Sequence, residues 1–379
     1  MSALRSATIL WALATLAAQP LRPQDRRPRR PPLPAPADTN DWEAYYDAGV
    51  EWLNQRHHAD AEAAFYWASR LEPRRAEPLF ARWATAWARD NERFGRYLEQ
   101  DPDKPLAPET ARIDSLRYRA LLRNPLVFQG LIVAAYIELP GRFRDDTWTR
   151  AWLEYGTTDF QAALASFGLA LKRNPDRYGT EARFLRATTY VALHQLDSAA
   201  AELQALLASL HRHEEERLLH IYESKALLYY AMGLLQASRQ DPTAARAAFE
   251  AALVEDLSFY PAHLALGQLN SGRDPAGSLH ELEQAAGGAN DPVAHYEYGA
   301  ALTRAHRSPE GTAELRVAIG LEPYFADPYF WLGEALLTQR DSTGALAAFQ
   351  SYMARAAARA PQLGTARARV AALQQPREE

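Results

Sequence analysis

The chain has 379 residues, a formal net charge of −5 and 47% hydrophobic residues. This length predicts either several domains or a repeat array, and the mild negative charge argues against a nucleic-acid-binding protein, which normally has a basic face. No cysteine is present, so the sequence excludes disulfides, thiolate zinc sites, a cysteine nucleophile and a cysteine-linked lipid anchor.

Residues 1–18 have the pattern of a signal peptide. Arg5 supplies a positive charge, and the run from Ala7 to Ala18 is uncharged, with small residues near its end. A helix over these twelve residues spans about 18 Å, well short of a hydrocarbon core of roughly 30 Å. We therefore expect an exported bacterial protein, periplasmic or extracellular, without an integral membrane span in the mature chain.

Residues 19–40 form a segment rich in proline and arginine. Because it has too little apolar surface to fold alone, we expect an extended, polyproline-like linker. Its arginines suit a weak contact with an anionic surface, but a plain spacer is the favoured interpretation.

From residue 42 onward the sequence repeats with a period near 34. Glycines in apolar stretches mark the period at spacings of 34, 32 and 34 residues: Gly233, Gly267, Gly299 and Gly333. A second small residue follows about twelve residues after three of them, and Pro73, Pro175 and Pro323 mark the ends of units. Two antiparallel helices approach closely only where small side chains meet, so the pattern predicts helical hairpins in which glycine or alanine on the first helix meets alanine on the second. The prolines end the second helices and start the next hairpins.

These residues resemble the tetratricopeptide repeat family, whose 34-residue motif has small residues at positions 8, 20 and 27 and proline at position 32. Seven units follow this register: 42–75, 144–177, 180–213, 226–259, 260–291, 292–325 and 326–359. The resemblance implies an all-α fold, a right-handed α-α superhelix (solenoid) of tetratricopeptide-like helical hairpins. It also implies a protein that binds other proteins.

Four regions follow the linker. They are an N-terminal repeat with a degenerate repeat and inserted helices (41–143), central repeats (144–259), C-terminal repeats (260–359), and a capping helix with a tail (360–379). A helix over 126–138 is the most apolar after the signal, and we expect it to be buried in a groove or an interface. The pair Gly287-Gly288 makes the unit 260–291 the expected weak point of the array.

In the tetratricopeptide family, the first helices of successive repeats line the concave surface, and position 5 faces the groove. That register gives the groove-lining candidates: Tyr46, Phe80, Trp148, Phe184, Tyr230, Leu264, Tyr296 and Phe330. Such rings suit apolar contact with an extended or helical peptide, and they equally suit packing between neighbouring helices. Glu334, with Glu297 and Asp327, makes the last repeats acidic, which suits a neutral or basic ligand.

The histidines are the natural place to look for catalysis or metal binding. His213, Glu216 and His220, near His211, share one helical face. A solvated charged face is the favoured interpretation, because the spacing matches no established metal motif. The sequence also contains no nucleophile elbow, phosphate-binding loop or dinucleotide fingerprint. We predict no catalytic residue, no metal site and no cofactor.

The leading hypothesis is a non-catalytic scaffold or adaptor that binds a protein or peptide in an aromatic-lined concave groove. The alternative is a structural subunit of an envelope assembly, held by its convex face or by the 126–138 helix. A metal-dependent enzyme or sensor using the cluster at 211–220 is a third and weaker hypothesis. No nucleic-acid partner is expected.

Overall fold

The computed structural model describes residues 27–55, 57–75, 77–79, 81–82, 85, 146–156, 159–173, 175–216 and 225–375. The predictions for the signal peptide, for Phe80 and for the apolar 126–138 helix lie outside these ranges.

Fifteen helices and no strand make up the described ranges. They are α1 (Trp42–Asn54), α2 (His58–Leu71), α3 (Asp146–Gly156), α4 (Phe160–Arg173), α5 (Pro175–Ala192), α6 (Leu196–Glu216), α7 (Lys225–Ser238), α8 (Pro242–Glu255), α9 (Tyr260–Asn270), α10 (Pro275–Gly288), α11 (Pro292–Arg304), α12 (Ser308–Leu321), α13 (Asp327–Thr338), α14 (Ser342–Arg355) and α15 (Leu363–Gln374). No described helix combines the length and the apolar character needed to cross a membrane.

Consecutive helices pack as hairpins, from α1/α2 to α13/α14, and from α3 onward each hairpin stacks on the next. The last helix, α15, packs on α14, and its expected capping role stays a prediction. Each hairpin has an apolar face that its neighbours cover, so hydrophobic clusters follow one another along the stack. The all-α solenoid of helical hairpins is confirmed.

The small residues lie where the paired helices cross, but their contacts differ from the prediction. A Cβ on Gly333 would lie 2.7 Å from the ring of Phe349, and one on Gly49 would lie 2.7 Å from the ring of Phe65. The glycine of the first helix therefore accommodates a large side chain of the second helix. The expected meeting of glycine with a small residue occurs at Gly299, where a Cβ would lie 3.1 Å from the carbonyl oxygen of Gly311.

An aspartate caps the second helix in several hairpins. The side chains of Asp241, Asp274 and Asp341 accept a hydrogen bond from the backbone N–H three residues later, at 2.8 to 2.9 Å. The preceding residue completes the turn in a left-handed backbone conformation at Gln240 (φ 61°) and Arg340 (φ 64°). Cap and turn together make the hairpins short and sharply bent.

Pro175 lies where a second helix was expected to end and the next hairpin to start. Helix α4 ends at Arg173, and Pro175 is the first residue of α5, because proline lacks only an N–H that a first helical turn leaves unpaired. Another boundary differs from the sequence-based expectation. Gly287 and Gly288 lie inside α10 rather than after it. Whether this unit is the weak point of the array stays a prediction.

The end of the proline- and arginine-rich linker is extended but not free. The indole N–H of Trp67 donates to the carbonyl oxygen of Pro28 at 3.1 Å. The guanidinium of Arg30 lies 5.1 Å from the ring of Trp67 and 5.3 Å from that of Tyr45, and Leu33 packs against the same core. This part differs from the expected tether because the rings of the first hairpin bind it.

Candidate functional site

The predicted groove aromatics pack mainly inside their own hairpins. Tyr46 is 0% exposed, and Trp148, Tyr296 and Phe330 are also buried. In four hairpins the ring at position 5 contacts a ring of the second helix, with these centroid separations: Tyr46–Phe65 5.5 Å, Trp148–Phe167 5.5 Å, Tyr230–Phe249 5.7 Å and Phe330–Phe349 5.8 Å. Most of this ladder is therefore hairpin core, because position 5 also faces the partner helix.

Phe184, Tyr230 and Leu264 are only half-buried. Phe184 packs against two core clusters, both of which include residues of α6 and α7. The predicted groove-lining role stays a prediction for these partly exposed side chains.

Two leucines of α7 are exposed apolar side chains on the face of the helix that carries Tyr230. Leu227 is 54% exposed and Leu234 is 46% exposed. They lie three residues before and four residues after Tyr230, so all three occupy one face of the helix. We call Leu227, Tyr230 and Leu234 the apolar strip.

Sequence reasoning missed the leucines of the apolar strip. Attention to position 5 alone selected the ring that is shared with the core. The spacing i, i+3, i+7 from Leu227 through Tyr230 to Leu234 was a readable signal for an apolar helix face.

The acidic end of the array is occupied by the chain's own groups. The carboxylate of Glu334 pairs with Arg369 of α15 at 3.0 Å, and that of Asp327 pairs with Arg74 at 2.9 Å. Glu297 accepts a hydrogen bond from Gln268 at 3.2 Å. Burial raises the pKa of both Glu297 and Asp327 above their ordinary values. These carboxylates are therefore partly desolvated and favour a cationic neighbour.

Arg74 belongs to the first hairpin, which lies against the last two. In the last turn of α2, Arg70 forms an ion pair with Glu322, and its guanidinium lies 5.4 Å from the ring of Tyr324. The rings of Trp67 and Tyr324 meet edge to face at 4.8 Å. The end of α2 thus docks on the loop 322–327 between α12 and α13.

A second set of contacts joins the start of α1 to the end of α14. The carboxylate of Asp38 accepts from the N–H of Ala358 at 2.7 Å, and Arg359 pairs with Asp41 at 2.8 Å. The side-chain amide of Asn40 donates to the carbonyl oxygen of Ala354 at 3.1 Å. We call both sets together, 38–41 and 67–74 against 322–327 and 354–359, the terminal contact.

The terminal contact is polar and incompletely packed. A cavity of about 260 Å³ remains within it, lined by Arg30, Asn40, Leu71, Tyr324, Ala354 and Arg355. Ion pairs, hydrogen bonds and ring contacts hold it, and Tyr324 also packs against the core of the first hairpin. No sequence pattern indicated this contact, because its two sides lie in different repeats and share no periodic pattern.

The structure adds nothing on the histidine and glutamate cluster at 211–220. The side chains of residues 211–216 and all of His220 lie outside what the structure describes. In the described part of the chain, no group of three or more potential ligands lies close enough together to hold a metal ion.

Comparison with known proteins finds similarity only among solved structures, since no family model and no curated protein matches the chain. YrrB, described as a TPR protein with an unusual peptide-binding site, is 18% identical with a TM-score of 0.40, over 50% of this chain and 91% of that one. The C-terminal part of a TPR repeat-containing protein from Cytophaga hutchinsonii is 16% identical with a TM-score of 0.43, over 54% of this chain and 77% of that one. MamA from Desulfovibrio magneticus RS-1 is 19% identical with a TM-score of 0.39, over 46% of this chain and 93% of that one.

The fold of this chain can be identified from its own hairpins. A small residue lies at the helix crossing of one hairpin after another, and successive hairpins stack in chain order. The described chain therefore has the tetratricopeptide-repeat fold.

Proposed function

We propose that this protein is a non-catalytic scaffold that binds an apolar segment of a protein partner along the apolar strip. The exposure of Leu227 and Leu234 on either side of Tyr230 is the observation that carries this proposal. Large apolar side chains that recur on one helix face in water are a common mark of a binding surface. An amphipathic helix or an extended peptide fits such a strip through apolar contact.

The test is capture of a partner by the full chain from an extract of its own cells. Leu227→Asn with Leu234→Asn removes the apolar surface while sparing the core ring of Tyr230. We expect the unchanged chain to retain a partner that this double variant loses. A partner retained equally by both proteins would show that the strip is not the binding surface.

A second candidate function, a structural subunit of an assembly, is favoured by a different observation. Val254 and Leu257, at the turn between α8 and α9, are 86% and 77% exposed. Their position at the end of a second helix suits contact between neighbouring proteins rather than peptide binding on first helices. Val254→Asn with Leu257→Asn is therefore the matched control in the capture experiment. Loss of the partner with this pair alone would favour the assembly subunit.

A further inference from the structure

Three side chains from outside the first hairpin surround the guanidinium of Arg74. The carboxylate of Asp327 lies 2.9 Å from Nη2, the ring of Phe325 lies 5.2 Å away and that of Tyr296 lies 6.0 Å away. A carboxylate beside aromatic rings suits an arginine in particular, because the guanidinium stacks on rings while it donates hydrogen bonds. We call Tyr296, Phe325 and Asp327 the arginine slot.

The arginine slot and the apolar strip both involve first helices of the array. Tyr296 lies in α11 and Asp327 is the first residue of α13, and these two helices contact each other directly. Tyr296 and Phe325 are buried, so an external arginine reaches the slot only where Arg74 has left it.

Arg74 can leave the slot without losing all its partners. It follows the end of α2, and 38% of its side chain is exposed. Its guanidinium also forms a bidentate pair with Glu72, at 2.6 and 2.7 Å, and Glu72 moves with it. By contrast, Asp327 is partly buried, and burial raises the pKa of its carboxyl although Arg74 lies beside it, so its carboxylate favours a cationic partner. The vacated slot therefore favours the entry of another cation.

We propose that the arginine slot binds an arginine side chain of the partner, and that Arg74 occupies the slot in the unbound protein. This inference rests on the proposed function in one respect, because the partner lies along the first helices. Arg74 acts as a tethered competitor, and its high effective concentration weakens the binding of any external arginine. Partner binding therefore loosens the docking of the first hairpin on the loop 322–327.

The test uses a labelled synthetic peptide with the sequence of residues 66–78 of this chain as the external arginine source. Its affinity is measured by fluorescence anisotropy for the unchanged full chain and for Arg74→Ala. We expect Arg74→Ala to bind the peptide about tenfold more tightly, because the tethered competitor is gone. Adding Asp327→Asn to Arg74→Ala should abolish this gain. A peptide in which the residue equivalent to Arg74 is glutamine should bind both proteins weakly and equally.

Equal affinity of the unchanged chain and Arg74→Ala would overturn the proposal, provided that both proteins have the same helical circular dichroism. A gain that survives Asp327→Asn would also overturn it. Leu227→Asn with Leu234→Asn, placed in the Arg74→Ala chain, should leave peptide binding unchanged. The slot and the apolar strip are thereby tested separately, and failure of one is distinguishable from failure of the other.

Discussion

At the scale of single residues, the helix crossings of this array have no room for a methyl group. A Cβ on Gly299 would lie 2.7 Å from Cγ of Leu315 and 3.1 Å from the carbonyl oxygen of Gly311. Because the second obstacle is backbone, side-chain rotation cannot relieve it. Gly299→Ala should therefore lower the free energy of unfolding by about 1–3 kcal/mol in urea titrations.

Gly320, in the same hairpin, supplies the control for this prediction. A Cβ there meets nothing within 4 Å, so Gly320→Ala should instead stabilise α12 by about 0.5–1 kcal/mol. If the two substitutions shifted the unfolding midpoint in the same direction, close packing at the crossing would not be the cause.

Glu297 makes the stability of the folded protein depend on pH. Burial raises its pKa above the ordinary 4.5, so the ionised carboxylate destabilises the folded state above that raised pKa. The folded state gains stability as the pH falls through the raised pKa towards 4.5. Glu297→Gln should therefore raise Tm at pH 7, and the difference should shrink towards pH 4.5.

Glu310, in the same hairpin, has the opposite effect on the pH dependence of stability. Its hydrogen bond from exposed Arg307 lowers its pKa, so its ionised form stabilises the folded state above its ordinary pKa and loses that effect as the pH falls. Glu310→Gln should slightly lower Tm at pH 7, by an amount that salt reduces. A rise in Tm at pH 7 for both variants would contradict the assignment to burial.

At the scale of elements, the turn inside a hairpin limits its stability. Arg340, between α13 and α14, has φ 64°, a conformation that crowds the Cβ of any residue except glycine. Arg340→Gly should raise the free energy of unfolding by up to about 1 kcal/mol. The neighbouring Gln339 has an ordinary φ of −80°, and its amide donates to Thr312 at 2.7 Å. Gln339→Gly should therefore destabilise the protein, and a destabilised Arg340→Gly would show that the turn is unstrained.

The elements themselves could be predicted from the sequence, because their signals are local. Glycine spacing indicated the crossings, and the family register placed units close to the helices found. Binding positions were harder to predict. Tyr46 and Phe330 were selected because their register faces the groove, but each ring is large enough to reach the second helix as well. A register specifies the direction of a side chain and not how much of it stays exposed.

At the scale of the whole molecule, the terminal contact joins the first hairpin to the last ones. Arg359→Ala removes the ion pairs with Asp41 and Glu43, so amide hydrogens in α1 should exchange faster with solvent, because the terminal helix frays more readily. Arg367→Ala, on exposed α15, is the control and should leave α1 unchanged. The same measurement tests the unit 260–291. We expect α9 and α10 to be the least protected hairpin, and neither variant should change the exchange of their amide hydrogens. Unchanged exchange in α1 with Arg359→Ala would show that the contact adds no stability there.

The terminal contact could not be predicted from the sequence. Periodicity describes how each repeat meets the next, whereas Arg70 and Glu322 meet across the array. Their pairing depends on the accumulated twist of every hairpin between them, which no local motif specifies.

This contact also constrains how the gene can change. An open array of repeats tolerates duplication or loss of one unit, because both new ends stay in solvent. In this chain an added or missing hairpin would rotate and displace the loop 322–327 away from Arg70 and Arg74. Descendants of this sequence that keep those arginines with Glu322 and Asp327 are expected to keep the number of hairpins as well, while their surface loops vary in length.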